Sequence, residues 1–167
     1  MFSAKRSFIA GAMVVCFSST VLAGGERIDF PTEYKTAFIQ YWEGARLNGE
    51  QYGIAFANDN VIAAMTAGNP LGDGAQIVME IYQLITDDDG NPAPGDLAAI
   101  GVMQNKAGWG EAYSEDIRNG DWDYGLFTAD GGIRNADATP CLTCHKPLGE
   151  ATSFTFTFEQ LAALVAD

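Results

Sequence analysis

The sequence reads C-x-x-C-H at Cys141, Cys144 and His145, near the C-terminal end of the chain. If Thr139 caps a helical turn that Pro140 begins, these three side chains lie on one face, because residues three and four apart are neighbours on a helix. Two thiols on that face can form thioethers with the two vinyl groups of a haem, while the imidazole reaches the iron from the same side. The spacing predicts one covalently attached haem c, held by Cys141 and Cys144, with His145 as the metal ligand.

Two other sites use the same residue types. A zinc site needs a fourth protein ligand, and the chain has one histidine, so a carboxylate would have to complete it. A thioredoxin-like redox pair is expected at a helix start near a βαβ unit, and not this close to the C-terminus. Haem attachment is the better interpretation of the motif.

The sixth coordination position of the iron is left open by the sequence. Since His145 is the only histidine, the position is filled by a methionine or another weak ligand, or it is empty. The methionines beyond the first 23 residues are Met65, Met79 and Met103, and each lies in an apolar pattern where methionine is usually core filler.

The first 23 residues have the pattern of a secretory signal peptide, with Lys5 and Arg6 before an apolar run and Ala23 at a small-residue cleavage site. The run is too short for a membrane span of about 20 residues, so no membrane insertion is expected. A lipoprotein anchored at Cys16 is the weaker alternative. The predicted mature chain, 24–167, is long enough for one haem domain, and it is expected in the periplasm or otherwise outside the cytoplasm.

The predicted mature chain is strongly acidic. Without Lys5 and Arg6 it keeps seven of the nine basic residues and all 22 acidic ones, for a net charge of about −15. Nucleic acids and anionic membranes are therefore excluded as partners. The charge serves solubility or provides a docking face for a redox protein with a basic surface.

Hydrophobic periodicity predicts a mixture of helices and strands around the motif, and hence the α+β class. A polar hairpin turn is expected at the DDDG sequence, 87–90, and a closing helix is expected after a Thr157 cap. The other predicted elements are a first helix at 31–46, a strand at 52–57, a short helix at 61–68, and strands at 75–85, 97–104 and 122–128.

Five segments in this order carry a resemblance to a known family: YWEGARLNGEQYGIAFANDNVIAAM, GDGAQIVMEIYQL, IGVMQNKAGWGEAY, DWDYGLFTADG and PCLTCHKP. The chain resembles the cytochrome P-460 family, which includes the cytochromes c′-beta. The resemblance implies an exported α+β homodimer, with haem packed against an antiparallel sheet and flanking helices, a proximal histidine and an open distal site.

The resemblance also implies one of two activities. Family members with a haem–lysine crosslink oxidise hydroxylamine, and those without it bind nitric oxide. This chain has Met79 followed by Glu80 where the crosslinked lysine is expected, and the nearest lysine, Lys106, follows the next strand. The resemblance therefore favours nitric oxide binding, and enzymatic activity as a hydroxylamine or nitric oxide oxidoreductase stays open.

Alternation along the strand at 75–85 puts Met79 and Glu80 on opposite faces, and either face could meet the haem. A distal wall with Met79 and Phe56 would favour uncharged diatomic ligands. A wall with Glu80 or Arg46 would provide a proton relay or a charge for redox chemistry on a nitrogen substrate.

We therefore expect an exported cytochrome with one haem and an open distal site for nitric oxide or a related small nitrogen species. The alternatives are an electron-transfer cytochrome c with methionine as sixth ligand, and an oxidoreductase of the P-460 type.

Overall fold

The computed structural model describes residues 24–166, so the predicted signal peptide and Cys16 lie outside the described residues. No helix in this range is long and apolar enough to cross a membrane. The helices are α1 (Tyr34–Ala37), α2 (Asp59–Thr66), α3 (Thr139–His145) and α4 (Phe158–Leu164), and the strands are β1 (Ile39–Ala45), β2 (Gln51–Ala57), β3 (Gln76–Thr86), β4 (Pro92–Asn105), β5 (Trp122–Phe127) and β6 (Ile133–Asn135). Short 3₁₀ turns lie at Gly25–Arg27, Trp109–Ala112, Lys146–Leu148 and Glu150–Thr152.

The strands form one six-stranded antiparallel sheet in the order β1-β2-β3-β4-β5-β6. Each strand pairs with its neighbours in sequence. The turn expected at 87–90 joins β3 to β4, whereas α2 lies in a longer connection between β2 and β3. This architecture confirms the α+β class with an antiparallel sheet and flanking helices.

The predicted helix at 31–46 is wrong over most of its length. Only Tyr34–Ala37 is helical, and the rest of the segment forms β1, the edge strand that pairs with β2. The aromatic residues Phe38, Tyr41 and Trp42 fit a helical period, but short apolar runs cannot distinguish the two periods. Pairing with β2 decides the structure, and aromatic side chains suit a half-buried strand.

The other predicted elements are present with small changes at their ends, except that the strand predicted at 97–104 begins five residues earlier, at Pro92, and that β6 was not predicted. Two predicted caps differ. Ala138 is the N-cap of α3, and Asp137 rather than Thr139 supplies a side-chain acceptor, bonding the Thr139 N–H at 2.9 Å. The Thr157 hydroxyl precedes α4 as expected, but it bonds the Tyr41 hydroxyl at 2.6 Å instead of capping the helix.

Register divides the sheet between two apolar cores. The row Ala57, Ile77, Met103 and Tyr124 belongs to the first core, which α2, α3 and α4 cover. The next row, with Phe56, Val78 and Val102, belongs to the second core, which the N-terminal segment around Ile28 and Tyr34 covers. The C-x-x-C-H helix therefore lies on the first face.

Candidate functional site

Helix α3 is anchored to the sheet by Leu142, which is fully buried in the first core. The side-chain amide of buried Asn119 donates to the Leu142 carbonyl at 3.1 Å. Around this anchor, Cys141 is half-buried against the first core, Cys144 is exposed and His145 is half-buried. The anchor therefore holds both thiols and the imidazole at one edge of the first face.

The imidazole of His145 has a defined hydrogen-bonding state. Its Nδ1 lies 2.6 Å from the carbonyl oxygen of Phe154. Since a carbonyl can only accept, Nδ1 carries the proton and Nε2 keeps its lone pair. Burial lowers the pKa of His145, outweighing the opposing effect of this bond, and the nearby Arg46 charge lowers it further. The ring is therefore neutral at neutral pH, and the lone pair on Nε2 is free to coordinate a metal.

Aromatic rings surround this imidazole. The Tyr124 ring lies 4.8 Å from it between centroids, and the Phe156 ring packs edge-on at 4.9 Å. Phe156 is 43 % exposed, which leaves a large apolar surface beside the imidazole. A planar apolar group bound at His145 would have this ring as a neighbour.

The backbone that supplies the acceptor to His145 is strained. Ser153 and Phe154 have φ of 49° and 55°, two successive non-glycine residues in the left-handed region. The Ser153 hydroxyl accepts the Leu71 N–H at 3.1 Å and ties this turn to the core. Residues in this region carry strain of about 1–3 kcal/mol each, which the surrounding structure must offset. Here the strained turn directs the Phe154 carbonyl at the imidazole.

A wall on the same face of the sheet forms around Gly53. A Cβ at Gly53 would lie 2.8 Å from Cζ3 of Trp42, 3.3 Å from Cγ of Arg46 and 3.4 Å from Sδ of Met79. Glycine is therefore required where the indole packs onto the sheet. We call Trp42, Arg46, Gly53 and Met79 the Gly53 wall.

Small residues flank Met79 within the sheet. It pairs with Ala55 on β2 and Gly101 on β4, and Trp42 pairs with Ala55 on its other side. These small side chains leave the Met79 thioether and the Trp42 indole as the prominent groups at this end of the row, which continues through Gly101 to Leu126 on β5. The row lies on the face that carries α3.

The guanidinium of Arg46 is half-buried in this wall. Burial lowers its pKa, and the nearby Cys144 and Cys141 act in the opposite direction. Arg46 donates to the Gln51 side chain, and it forms no ion pair with any residue between 24 and 166. It is therefore a cation at the edge of the first face that can bind an anionic group of a ligand.

Two predicted distal residues lie on the other face. Phe56 packs in the second core against Tyr34. The buried Glu80 carboxylate accepts from the Tyr34 hydroxyl at 2.6 Å and the Tyr82 hydroxyl at 2.8 Å, and it pairs with Lys35 at 2.6 Å. The structure thus places Met79 and Arg46 on the face that carries α3. Phe56 and Glu80 lie on the other face, so Phe56 does not share a wall with Met79, and Glu80 does not share one with Arg46.

The residues of this face fit a haem better than a single metal ion. Within the described range no three His, Cys, Asp or Glu side chains, including those of α3, are close enough to share an ion. Two free thiols on one short helix, an imidazole with a free Nε2 and an unpaired guanidinium instead suit a large planar group with two vinyl and two acidic substituents. The antiparallel sheet also lacks the βαβ unit of a thioredoxin-like site.

Comparison with known families agrees with this geometry. The family model described as Cytochrome P460 matches residues 31–157, from the N-terminal segment to the loop after α3. The chain belongs to the cytochrome P460 family. Membership implies a haem cofactor and iron binding. No curated protein gives a significant match to the chain.

Several groups of the candidate site in this cytochrome P460 protein are not indicated by the sequence patterns. The helix predicted at 31–46 does not place Trp42 in the wall, although strand alternation would put Trp42 and Arg46 on one face with Gly44 between them. Tyr124 could have been found, since it alternates with Trp122 along β5. The Phe154 carbonyl carries no sequence signal, because any residue supplies a carbonyl.

Proposed function

We propose that this cytochrome P460 protein is an exported cytochrome with a single haem c, attached at Cys141 and Cys144, that binds nitric oxide or a related small nitrogen species. His145 would hold the iron through Nε2, and the Gly53 wall would line the part of the site where the small molecule binds. When bound, the haem supplies the iron to which such a small molecule coordinates. Membership of the family supports the presence of haem. The two thiols and His145 support its attachment to the chain, and the residues around the Gly53 wall support the binding of a small molecule.

The hydrogen bond from His145 Nδ1 to the Phe154 carbonyl carries the proposal. It fixes the tautomer that presents Nε2 and increases the basicity of the imidazole as a ligand. Such a bond to the second ring nitrogen is the usual partner of a metal-ligating histidine. The two free thiols on the same helix support covalent attachment.

The lysines of the described range argue against a haem–lysine crosslink. Lys35 pairs with Glu80 on the opposite face, and Lys106 is exposed beside the Trp109 ring. Lys146 donates to backbone carbonyls before β5. Since none of them lies at the Gly53 wall, the wall supports reversible binding of a small ligand better than hydroxylamine oxidation.

Met79 supports a second candidate function. Met103 is buried in the first core and Met65 packs against that core from α2, whereas Met79 is half-buried at the Gly53 wall. If the Met79 thioether bound the iron, the protein would be an electron-transfer cytochrome c with a closed distal site. The strong acidity of the chain would then favour a redox partner with a basic face.

The visible spectrum of the reduced protein, with and without nitric oxide or carbon monoxide, tests the proposal. We expect a broad high-spin band that changes on addition of either gas, and the same spectra for Met79→Leu. Sharp split bands that become high-spin only in Met79→Leu would refute the open site and establish methionine ligation. A strongly red-displaced Soret band would instead support the crosslinked, hydroxylamine-oxidising alternative.

Covalent attachment and export are tested on the same protein. Denaturation in acidic acetone should leave the haem on the polypeptide, and Cys144→Ala should release some of it. The intact mass should correspond to one haem on a chain that begins near Gly24, and sedimentation should show the homodimer that we propose from the resemblance. Met103→Leu serves as the matched control for the methionine variant, because its side chain lies in the core.

A further inference from the structure

A second buried polar site lies on the opposite face of β5 from the haem site. Asp123 is fully buried, and its carboxylate accepts from the Tyr113 hydroxyl and the Tyr124 N–H, each at 2.7 Å. It also forms an ion pair with Arg27, whose side chain is only 9 % exposed. The side chains of Asp123, Tyr113 and Arg27 do not belong to the proposed haem site, so the cluster needs its own explanation.

The backbone nitrogen of Gly24 completes this site. It donates to Oδ2 of Asp123 at 2.9 Å, and Gly24 itself is buried. Its φ is +84°, and a Cβ at this position would lie 2.0 Å from the Ala136 carbonyl oxygen. Only glycine can therefore bring its nitrogen to this carboxylate.

Gly24 is also the residue that follows the predicted cleavage site at Ala23. We propose that removal of the signal peptide converts the Gly24 nitrogen into an α-ammonium group that forms a buried ion pair with Asp123, so that processing stabilises the folded domain. Before cleavage the same nitrogen is a neutral amide with one proton to donate. After cleavage it carries a full charge 2.9 Å from the carboxylate. The bond is already charge-assisted by the carboxylate, and the ammonium adds a Coulomb attraction between two opposite charges.

The position of the ion pair links it to the helix that carries C-x-x-C-H. The N–H of Gly25 donates to the Ala136 carbonyl at 3.0 Å, and Ala136 lies just before α3. Gly25 also packs against Gly125 of β5. Docking of the new N-terminus therefore holds the segment that enters α3 against the sheet.

Other charged groups surround the pair. The Arg27 guanidinium repels an ammonium group at Gly24. It also donates to the Trp109 carbonyl and lies 4.6 Å from the centre of the Trp109 ring, and these two contacts stabilise part of its positive charge. Tyr113 is neutral, because burial and the Asp123 hydrogen bond raise its pKa. The remaining titratable groups on and beside the packed elements are Glu26, Lys106, Glu111, Asp121, Arg134 and Asp137, and all except Asp121 are exposed.

The pH dependence has a definite sign. An α-amino group ordinarily titrates at about 7.7–8.0. Burial of Gly24 and the Arg27 charge act to lower its pKa in the folded state, the contacting Asp123 carboxylate acts to raise it, and the proposal requires the carboxylate to outweigh the other two. The stabilisation is then fully present below about pH 7.7 and is lost as the pH rises through the raised value. Each unit of increase corresponds to a tenfold change in the unfolding equilibrium constant.

The test compares holoproteins exported with two N-termini. One is the natural chain, and the other carries two alanines inserted between Ala23 and Gly24, with the cleavage site kept ahead of them, so that an amide replaces the ammonium at Gly24. Intact mass establishes the start of each chain. The haem spectrum shows that the haem site is intact, independently of the ligand that it binds. Denaturant unfolding is then measured from pH 6 to pH 10.

We expect the extended chain to have an unfolding equilibrium constant at least tenfold larger at pH 6.5, with the difference shrinking towards pH 10. In Asp123→Asn the difference between the two N-termini should fall to less than threefold, while in the exposed control Glu26→Gln it should persist. Equal stability of the two natural-sequence chains at every pH would overturn the proposal, even if Asp123→Asn does not fold. A natural chain whose mass shows a start other than Gly24 would also overturn it.

Discussion

The Glu80→Gln variant tests whether the Glu80 carboxylate stabilises the fold or takes part in chemistry at the haem site. The Glu80 side chain is 3 % exposed and binds two tyrosine hydroxyls and Lys35 on the face away from α3. In Glu80→Gln the side chain loses its charge and keeps one acceptor oxygen. The charge-assisted hydrogen bonds from the Tyr34 and Tyr82 hydroxyls, each worth about 1.5–3 kcal/mol when intact, are therefore weakened rather than lost completely. Lys35 is 60 % exposed and can return to water, so its loss adds less than about 1 kcal/mol. The expected loss is about 3 kcal/mol of unfolding free energy.

The pH dependence gives a second readout of Glu80. Burial acts to raise its pKa, but the bonds from Lys35, Tyr34 and Tyr82 outweigh burial, and the net pKa is lowered. A lowered pKa stabilises the fold above the unfolded value of about 4.3, and the stabilisation is lost as the pH falls through the folded value. Glu80→Gln should therefore be closest in stability to the natural protein at acidic pH.

The assay is denaturant unfolding of the holoprotein between pH 3 and pH 8, together with nitric oxide affinity and the reduced spectrum. Glu43→Gln, an exposed carboxylate on the edge strand β1, is the matched control and should change stability by less than about 0.5 kcal/mol. We expect Glu80→Gln to lose stability while its affinity and spectrum stay unchanged. Unchanged stability with altered gas affinity would refute the reasoning and indicate a proton relay at Glu80.

Three further predictions concern the α3 face. Gly53→Val should displace Trp42 from the wall and change nitric oxide affinity and binding rate in stopped-flow measurements, whereas unchanged kinetics would show that the wall does not contact the ligand. Arg46→Gln should lower the midpoint potential of the haem, because a nearby cation disfavours the oxidised state, and an unchanged potential would place the guanidinium away from the haem. Leu142→Ala should cost about 2–5 kcal/mol of unfolding free energy, since it opens a cavity under α3, and a loss below about 1 kcal/mol would contradict the anchoring role.

The predictions that succeeded rest on local patterns. The strands at β2, β3, β4 and β5 have β-branched and aromatic residues bounded by turn signals, and the hairpin at 87–90 has acidic and glycine residues that favour a turn. Helix α3 follows from Pro140 and the spacing of its cysteines. These features depend on residues within a few positions of one another, so a single sequence contains them.

The failure at 31–46 has a non-local cause. Its aromatic residues fit a helical period, and a register irregularity between Gln40 and Trp42 interrupts the strand alternation, so hydrogen bonds to β2 decide the structure. The same pairing moves Trp42 into the Gly53 wall. A segment of this kind needs its partner strand before its structure can be assigned.

The chemistry of the site can be read from the residues alone: two thiols and the one histidine of the chain have a spacing that suits haem attachment. The surroundings of these groups depend on the three-dimensional fold. Alternation separates Met79 from Glu80, but the pairing of β2, β3 and β4 determines which of them shares the face of α3. The Phe154 carbonyl that orients His145 is likewise a backbone atom, and only the folded turn brings it within 2.6 Å of the imidazole. Contacts between distant segments follow from register and packing, which no short stretch of residues contains.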